Sequence, residues 1–177
     1  MTESSIRVEP LLHEDAPTLA NLLSRQRKEY LRHFHPFDFS LDGVKAEISK
    51  ASKDRYWALW NSSGLIGFFM LRGLDDGYSR PSFGVMIDEK HSRQGLAGKA
   101  LAHSVDWCVQ NGIQRVMLKV AEENIAAVRA YERAGFVTIG ACKRTGQRMM
   151  EKELKPMTRL EQGGADAQDN VVTAAGM

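Results

Sequence analysis

Apolar residues near the start of the chain recur at helical spacing. In Leu12-His-Glu-Asp-Ala-Pro-Thr-Leu-Ala-Asn-Leu-Leu23, the side chains of Leu19, Leu22 and Leu23 share one face, which predicts a helix with Pro17 in its first turn. Ile6-Arg-Val-Glu9 before it reads as a short strand. Tyr30-Leu-Arg-His-Phe-His-Pro-Phe-Asp-Phe39 follows neither period and is broken by Pro36, so it reads as a functional loop. A second helix is predicted from Leu41 to about Ser52, with Ser40 as its cap.

The pattern then changes. Tyr56 to Trp60, a turn at Asn61 to Gly64, Leu65 to Arg72, a loop from Gly73 to Pro81, and Ser82 to Ile87 predict a meander of antiparallel strands. Leu96 to Gln110 reads as a helix ended by Asn111-Gly112, and Arg115 to Val120 as a strand. Ala126 to Ala134 reads as a helix ended by Gly135, and Phe136 to Ile139 and Arg148 to Leu154 as strands. The order is α+β, in one expected domain over residues 1–156. Residues 157–177 are small, polar and aperiodic, too poor in apolar surface to offset their ordering entropy, and are expected to form a disordered tail.

Between two of these elements lies the first chemical signal. The run Phe83-Gly-Val-Met-Ile87 turns through His91-Ser-Arg-Gln-Gly-Leu-Ala-Gly-Lys-Ala-Leu101 into a helix. Such a turn directs unpaired backbone N–H groups and the positive end of a helix dipole at one spot, where an anion can sit. Gly95, Ala97 and Gly98 keep that spot open to a ligand. Spacing excludes two other phosphate motifs. A nucleoside-triphosphate loop needs glycine where Arg93 stands and a hydroxyl where Ala100 stands, and a dinucleotide fingerprint needs three glycines after the first strand.

One strand later comes Asn124-Ile-Ala-Ala-Val-Arg-Ala-Tyr-Glu-Arg-Ala-Gly-Phe136. With the cradle, this segment resembles the GNAT family of acyl-CoA-dependent N-acyltransferases. Asn124, Ala127, Tyr131, Glu132, Gly135 and Phe136 fall at every offset of that family's motif B. Gln94-Gly-Leu-Ala97 fits the core of its motif A, although Ser92 holds the leading position and Arg93 follows it.

The resemblance implies a GNAT fold: a mixed, mostly antiparallel sheet of six to seven strands flanked by about four helices. It implies acetyl-CoA as acyl donor, with pyrophosphate on Arg93, Gln94, Gly95, Leu96, Ala97, Gly98 and Lys99, and pantetheine along Val85, Met86 and Ile87. Asn124 would hydrogen-bond the pantetheine amide, Ala127 would leave it room, and Tyr131 would be the general acid that protonates the departing thiolate.

The general base stays open, because Ser82-Phe-Gly-Val-Met-Ile87 carries no carboxylate. His33, His35, Asp75, Asp76 and Tyr78 are candidates, as is water relayed by Ser82. By the same resemblance, Leu31 to Phe39 and Gly73 to Pro81 choose the acceptor. His33, His35, Phe37, Asp75, Asp76 and Tyr78 there suit a small polar amine with a ring to stack on, an amino sugar or nucleotide-linked amino sugar being the leading expectation. Acetylation of peptide N-termini or lysines is one alternative, and a non-catalytic acyl-CoA sensor another.

Composition narrows the context. A chain of 177 residues with 43% hydrophobic and 26% charged residues is ordinary for a globular domain, and a formal net charge of +2, with its basic residues scattered, gives no reason to expect nucleic acid. Cys108 and Cys142 have no metal-binding spacing and read as free thiols. No metal is expected, nor a membrane segment, and a cytoplasmic monomer or homodimer is.

Overall fold

The computed structural model describes residues 5–155; the expected tail at 157–177 lies outside them. Among the described residues the chain forms β1 (Arg7–Pro10), α1 (Ala16–Ser24), α2 (Lys28–Leu31), α3 (Leu41–Lys50), β2 (Arg55–Asn61), β3 (Gly64–Arg72) and β4 (Ser82–Ile87). There follow α4 (Leu96–Gln110), β5 (Arg115–Val120), α5 (Ile125–Arg133), β6 (Val137–Ala141) and β7 (Arg148–Glu153). The α+β order and the seven strands match the pattern of the sequence. Five α-helices stand where about four were expected, because the aperiodic aromatic stretch begins with the single turn of α2. The predicted first helix is shorter than its apolar spacing suggests. Leu12 to Asp15 form a separate 3-10 turn, in which the Asp15 carboxylate accepts the Leu12 N–H at 2.8 Å, and α1 starts beyond it.

The strands form one sheet in the order β1-β2-β3-β4-β5-β7-β6. All neighbours are antiparallel except β4 and β5, which run parallel. Two apolar cores cover its faces. On one, α4 and α5 bring Leu96, Ala100, Leu101, Cys108 and Val128 onto Trp57, Phe69, Phe83, Ile87 and Leu118. On the other, α1 and α3 bring Leu19, Leu22, Leu23 and Val44 onto Tyr56, Ala58, Phe68, Met70 and Met86. The period of two explains the division: Met86 faces one core while its neighbour Ile87 faces the other.

The sheet is weakest at its parallel junction. β4 pairs β5 only at Ser82 with Met117 and Phe83 with Leu118, after which the two strands part. On its other edge β4 stays in register with β3 to the end, Ile87 opposite Gly67. The peptide groups of alternate β4 residues therefore have no sheet partner. Asp88 N–H donates to the Ile66 carbonyl on the β3 side, and Met117 N–H to Pro81 on the β5 side, so by alternation Val85 and Ile87 turn their N–H and C=O groups into the gap.

Candidate active site

The gap between the parted strands is a cavity of about 560 Å³. Val85, Met86 and Ile87 form one wall, and Lys119, Val120 and Ala121 the other. Ala97, Asn124, Ala127 and Tyr131 line it from the α4 and α5 side, while Tyr30, Leu31, Arg32, His33 and Phe34 line it from the opposite face. The lining is drawn from both faces of the sheet, so the wedge passes through the molecule.

At the helix-side mouth stands the start of α4. Arg93 and Gly95 both adopt left-handed backbone, with φ of 62° and 73°. For Arg93, which has a Cβ, this conformation costs about 1–2 kcal/mol and marks a site where the chain is held for a purpose. The two residues bend the backbone into a nest of N–H groups ahead of the helix. Ser40 caps α3 by accepting from Gly43 N–H and Asn124 caps α5 by accepting from Ala127 N–H, whereas α4, like α1 and α2, has no side-chain cap. Its first amides are left for another acceptor. A Cβ added at Gly95 or Gly98 would meet nothing within 4 Å, so the space in front of them is open. An anionic diphosphate fits this mouth.

Tyr131 comes to the wedge from the third turn of α5, its ring packed against Phe136 with centroids 6.0 Å apart. Burial pushes its phenol up to about 12. Cys108, enclosed under α4, is also pushed up by burial to about 12.

Asn124 caps α5 through its side-chain carbonyl, 3.2 Å from Ala127 N–H. Its amide N–H₂ stays available to a ligand in the wedge. The small side chain of Ala127, one turn before Tyr131, lines both this cavity and an apolar groove of about 390 Å³ running on between α4 and α5.

The structure therefore gathers Val85, Met86, Ile87, Ala97, Asn124, Ala127, Tyr131 and His33 around one cavity. It does not gather the rest of the expected acceptor residues. Phe37 packs edge-on against Phe39 and Tyr56, at 5.5 and 6.4 Å, in the α1–α3 core. Asp75 accepts N–H groups from Ser52, Lys53 and Asp54 at 2.8 to 3.1 Å, and these bonds hold its carboxyl below the usual range. Ser82 lies in the joined part of β4, and His35, Asp76 and Tyr78 are exposed outside the lining. An aromatic loop without period gives no sign of which rings turn inward, and Asp75 looks like any loop carboxylate until its turn is closed.

Two acidic residues at the cavity carry no motif, Glu29 and Glu123. Glu123 Oε1 lies 2.6 Å from His33 Nε2 and 3.1 Å from Arg32 Nη2. Its position directly before Asn124 was the one available hint. A third cluster holds the acceptor-side loop. Arg72 donates to the Pro36 carbonyl at 2.5 Å and pairs with the buried Glu47 at 2.9 Å, and Tyr56 donates to Glu47 at 2.6 Å.

Known proteins share this fold. A family model described as "Acetyltransferase (GNAT) domain" matches residues 5–137. An uncharacterized N-acetyltransferase of Bacillus subtilis, YobR, is 34% identical over 64 residues, 36% of this chain, and the match spans only 26% of that relative's length. The spermine/spermidine N(1)-acetyltransferase of the same organism is 28% identical over 125 residues, 64% of this chain and 82% of its own. The crystal structure of spermidine N-acetyltransferase from Vibrio cholerae, in complex with CoA and spermine, superposes with a TM-score of 0.70 at 21% identity, over 84% of this chain and 95% of that one. No helix among the described residues is long and apolar enough to cross a membrane.

Proposed function

The chain belongs to the GNAT acetyltransferase family, and on that premise we propose that it transfers an acetyl group from acetyl-CoA to the primary amine of a small cationic acceptor. The observation that carries this is the parting of β4 from β5 after Phe83, which leaves a wedge between an anion cradle and a mouth where Glu29 and Glu123 stand beside Arg32 and Lys119. Bound acetyl-CoA supplies an activated acyl group on a thioester. The protein holds it by three means. The open amides of Gly95 to Gly98 receive the diphosphate, the Val85 peptide groups and the Ile87 N–H pair with the pantetheine arm, and Asn124 donates its side-chain amide to that arm. Arg93, Gln94 and Lys99, exposed around the cradle, add charge and hydrogen bonds at its rim.

Tyr131 hands its proton to the sulfur as the carbon–sulfur bond breaks.

An aliphatic amine suits the mouth better than an amino sugar. Phe37, the ring expected to stack on a sugar, is packed into the core, while Glu29 and Glu123 stand where a cationic chain would approach. The match to spermine/spermidine N(1)-acetyltransferase over 125 residues supports the same preference. The test is acetyl-dependent thiol release with spermidine, spermine, glucosamine and a short peptide as acceptors, beside calorimetry with acetyl-CoA. Release with the polyamines, and none with glucosamine or peptide, is the expected result. Release with glucosamine alone would return the acceptor to the sugars, and absence of acetyl-CoA binding would remove the wedge from the reaction.

A further inference from the structure

An amine of ordinary pKa, about 10.4, arrives at pH 7 as an ammonium and must lose a proton before its nitrogen can attack. β4 supplies no carboxylate for this. We infer that His33 takes that proton, with Glu123 as the residue that positions it; the inference rests on the amine-acceptor reading above.

Three observations support it. First, both residues line the wedge, His33 just beyond α2 and Glu123 between β5 and α5. Secondly, their contact is short, 2.6 Å between His33 Nε2 and Glu123 Oε1. Thirdly, the Glu123 carboxyl is held below its usual range, by its own backbone N–H and then by His33, and so is ionised at neutral pH. An ionised carboxylate only accepts, so the proton between the two belongs to His33 Nε2. The neutral ring then carries its lone pair on Nδ1, for which no protein partner exists among the described residues. The His33 backbone is fixed as well, its carbonyl accepting from Gln147 Nε2 at 3.1 Å. The other charged or titratable groups around the cavity are Glu29, Tyr30 and Arg32 from the α2 side, Lys119 from β5 and Tyr131 from α5.

The steps balance. The ammonium gives one proton to His33 Nδ1. The freed nitrogen pair forms the carbon–nitrogen bond, the carbon–sulfur bond breaks, and the thiolate takes the Tyr131 proton. The second proton of the new amide nitrogen restores the Tyr131 phenol, and His33 releases its proton to solvent. One acetylated amine, one thiol and one free proton result.

The experiment uses the full chain with acetyl-CoA and spermidine as probes. His33→Ala should lower kcat about a hundredfold, the size expected for loss of a general base, with acetyl-CoA affinity by calorimetry unchanged and part of the rate restored by added imidazole. Glu123→Gln is read by nitrogen-15 NMR of the His33 ring, a signal that a merely structural role would not move. The wild-type ring should be fixed with its proton on Nε2, and the variant should show a mixture of tautomers with a lowered kcat. An undiminished His33→Ala in an active protein, or a wild-type ring without the Nε2 proton, overturns the dyad alone. A wild type that binds acetyl-CoA yet acetylates no amine overturns the parent reading and the dyad with it.

Discussion

Tyr30 donates its phenol O–H to the carbonyl of Ile87, 2.8 Å away, and so fastens α2 to the last residue of the strand that lines the wedge. That carbonyl is among the peptide groups the sheet leaves unpaired, and Tyr30 satisfies it from the acceptor side. Arg25 and Gln26, just beyond α1, extend the same seam by binding the Asp88 carboxylate at 2.6 and 3.3 Å. The segment from the end of α1 through α2 is thus tied to the end of β4, the strand that lines the wedge.

Tyr30→Phe tests this seam. The ring remains and one hydrogen bond goes, so stability should fall by about 1 kcal/mol in urea titration. The KM for acetyl-CoA should rise several-fold while kcat changes little. An unchanged KM would mean that the Ile87 carbonyl has no part in shaping the wedge.

Tyr131→Phe should lower kcat roughly a hundredfold with acetyl-CoA affinity kept, the pattern of a lost proton donor. The wild-type pH profile offers a second reading. Because burial raises the phenol to about 12, its donor form persists through the alkaline range where an ordinary tyrosine, near pKa 10, ionises. Turnover at saturating substrate should therefore hold to about pH 11. A descending limb centred near pH 10, abolished in the Phe variant, would show the phenol to be wet.

Gly98→Leu separates folding from binding. Leucine is a better helix former than glycine by about 0.8 kcal/mol, and the space at Gly98 is open, so the variant should melt no lower than the parent. Its side chain occupies the cradle, and CoA affinity measured by calorimetry should fall at least tenfold. Wild-type affinity would place the diphosphate elsewhere.

Glu47 makes stability depend on acid. Burial alone would raise its carboxyl, but hydrogen bonds with Lys50 and Tyr56 and the charge of Arg72 outweigh it and hold the group below the usual range. A depressed folded pKa means stability present above the unfolded value, about 4.3, and lost as pH falls through the folded one. Glu47→Ala should cost on the order of 3 kcal/mol at pH 7, since Arg72 is left partly buried without its partner. It should also flatten the acid side of the stability curve. Urea titrations from pH 3 to 7 measure both.

Asp75→Ala should lower the melting temperature, through loss of three backbone hydrogen bonds, with the acceptor KM unmoved. A large rise in that KM would return Asp75 to the acceptor site.

Local signals account for what the sequence made legible. α4 and β5 coincide with their predicted limits because Gly95 and the Asn111-Gly112 pair punctuate the chain there. Asn124, Ala127 and Tyr131 converge on the wedge because one helix carries all three. What escaped depends on distant partners. The α2 turn has too few residues to show a period, and Phe37 could be placed only by Tyr56 and Phe68 from the sheet. Glu123 is an exposed charge in a short loop, and beyond its place directly before Asn124 nothing nearby in sequence distinguishes it from a solvated one until His33 arrives, 90 residues away in the chain.

With only two residue pairs joining β4 to β5, the sheet resembles an arch whose keystone arrives from solution. One apolar core, under α4 and α5, spans both halves, yet along their shared line the hydrogen bonds that a continuous ladder would provide are delegated to whatever fills the opening. A tenant binding the folded form alone lends RT ln(1 + [L]/Kd) to it, about 2.7 kcal/mol at a hundredfold excess over Kd. The endurance of this protein in a cell is thereby tied to the supply of its acyl donor.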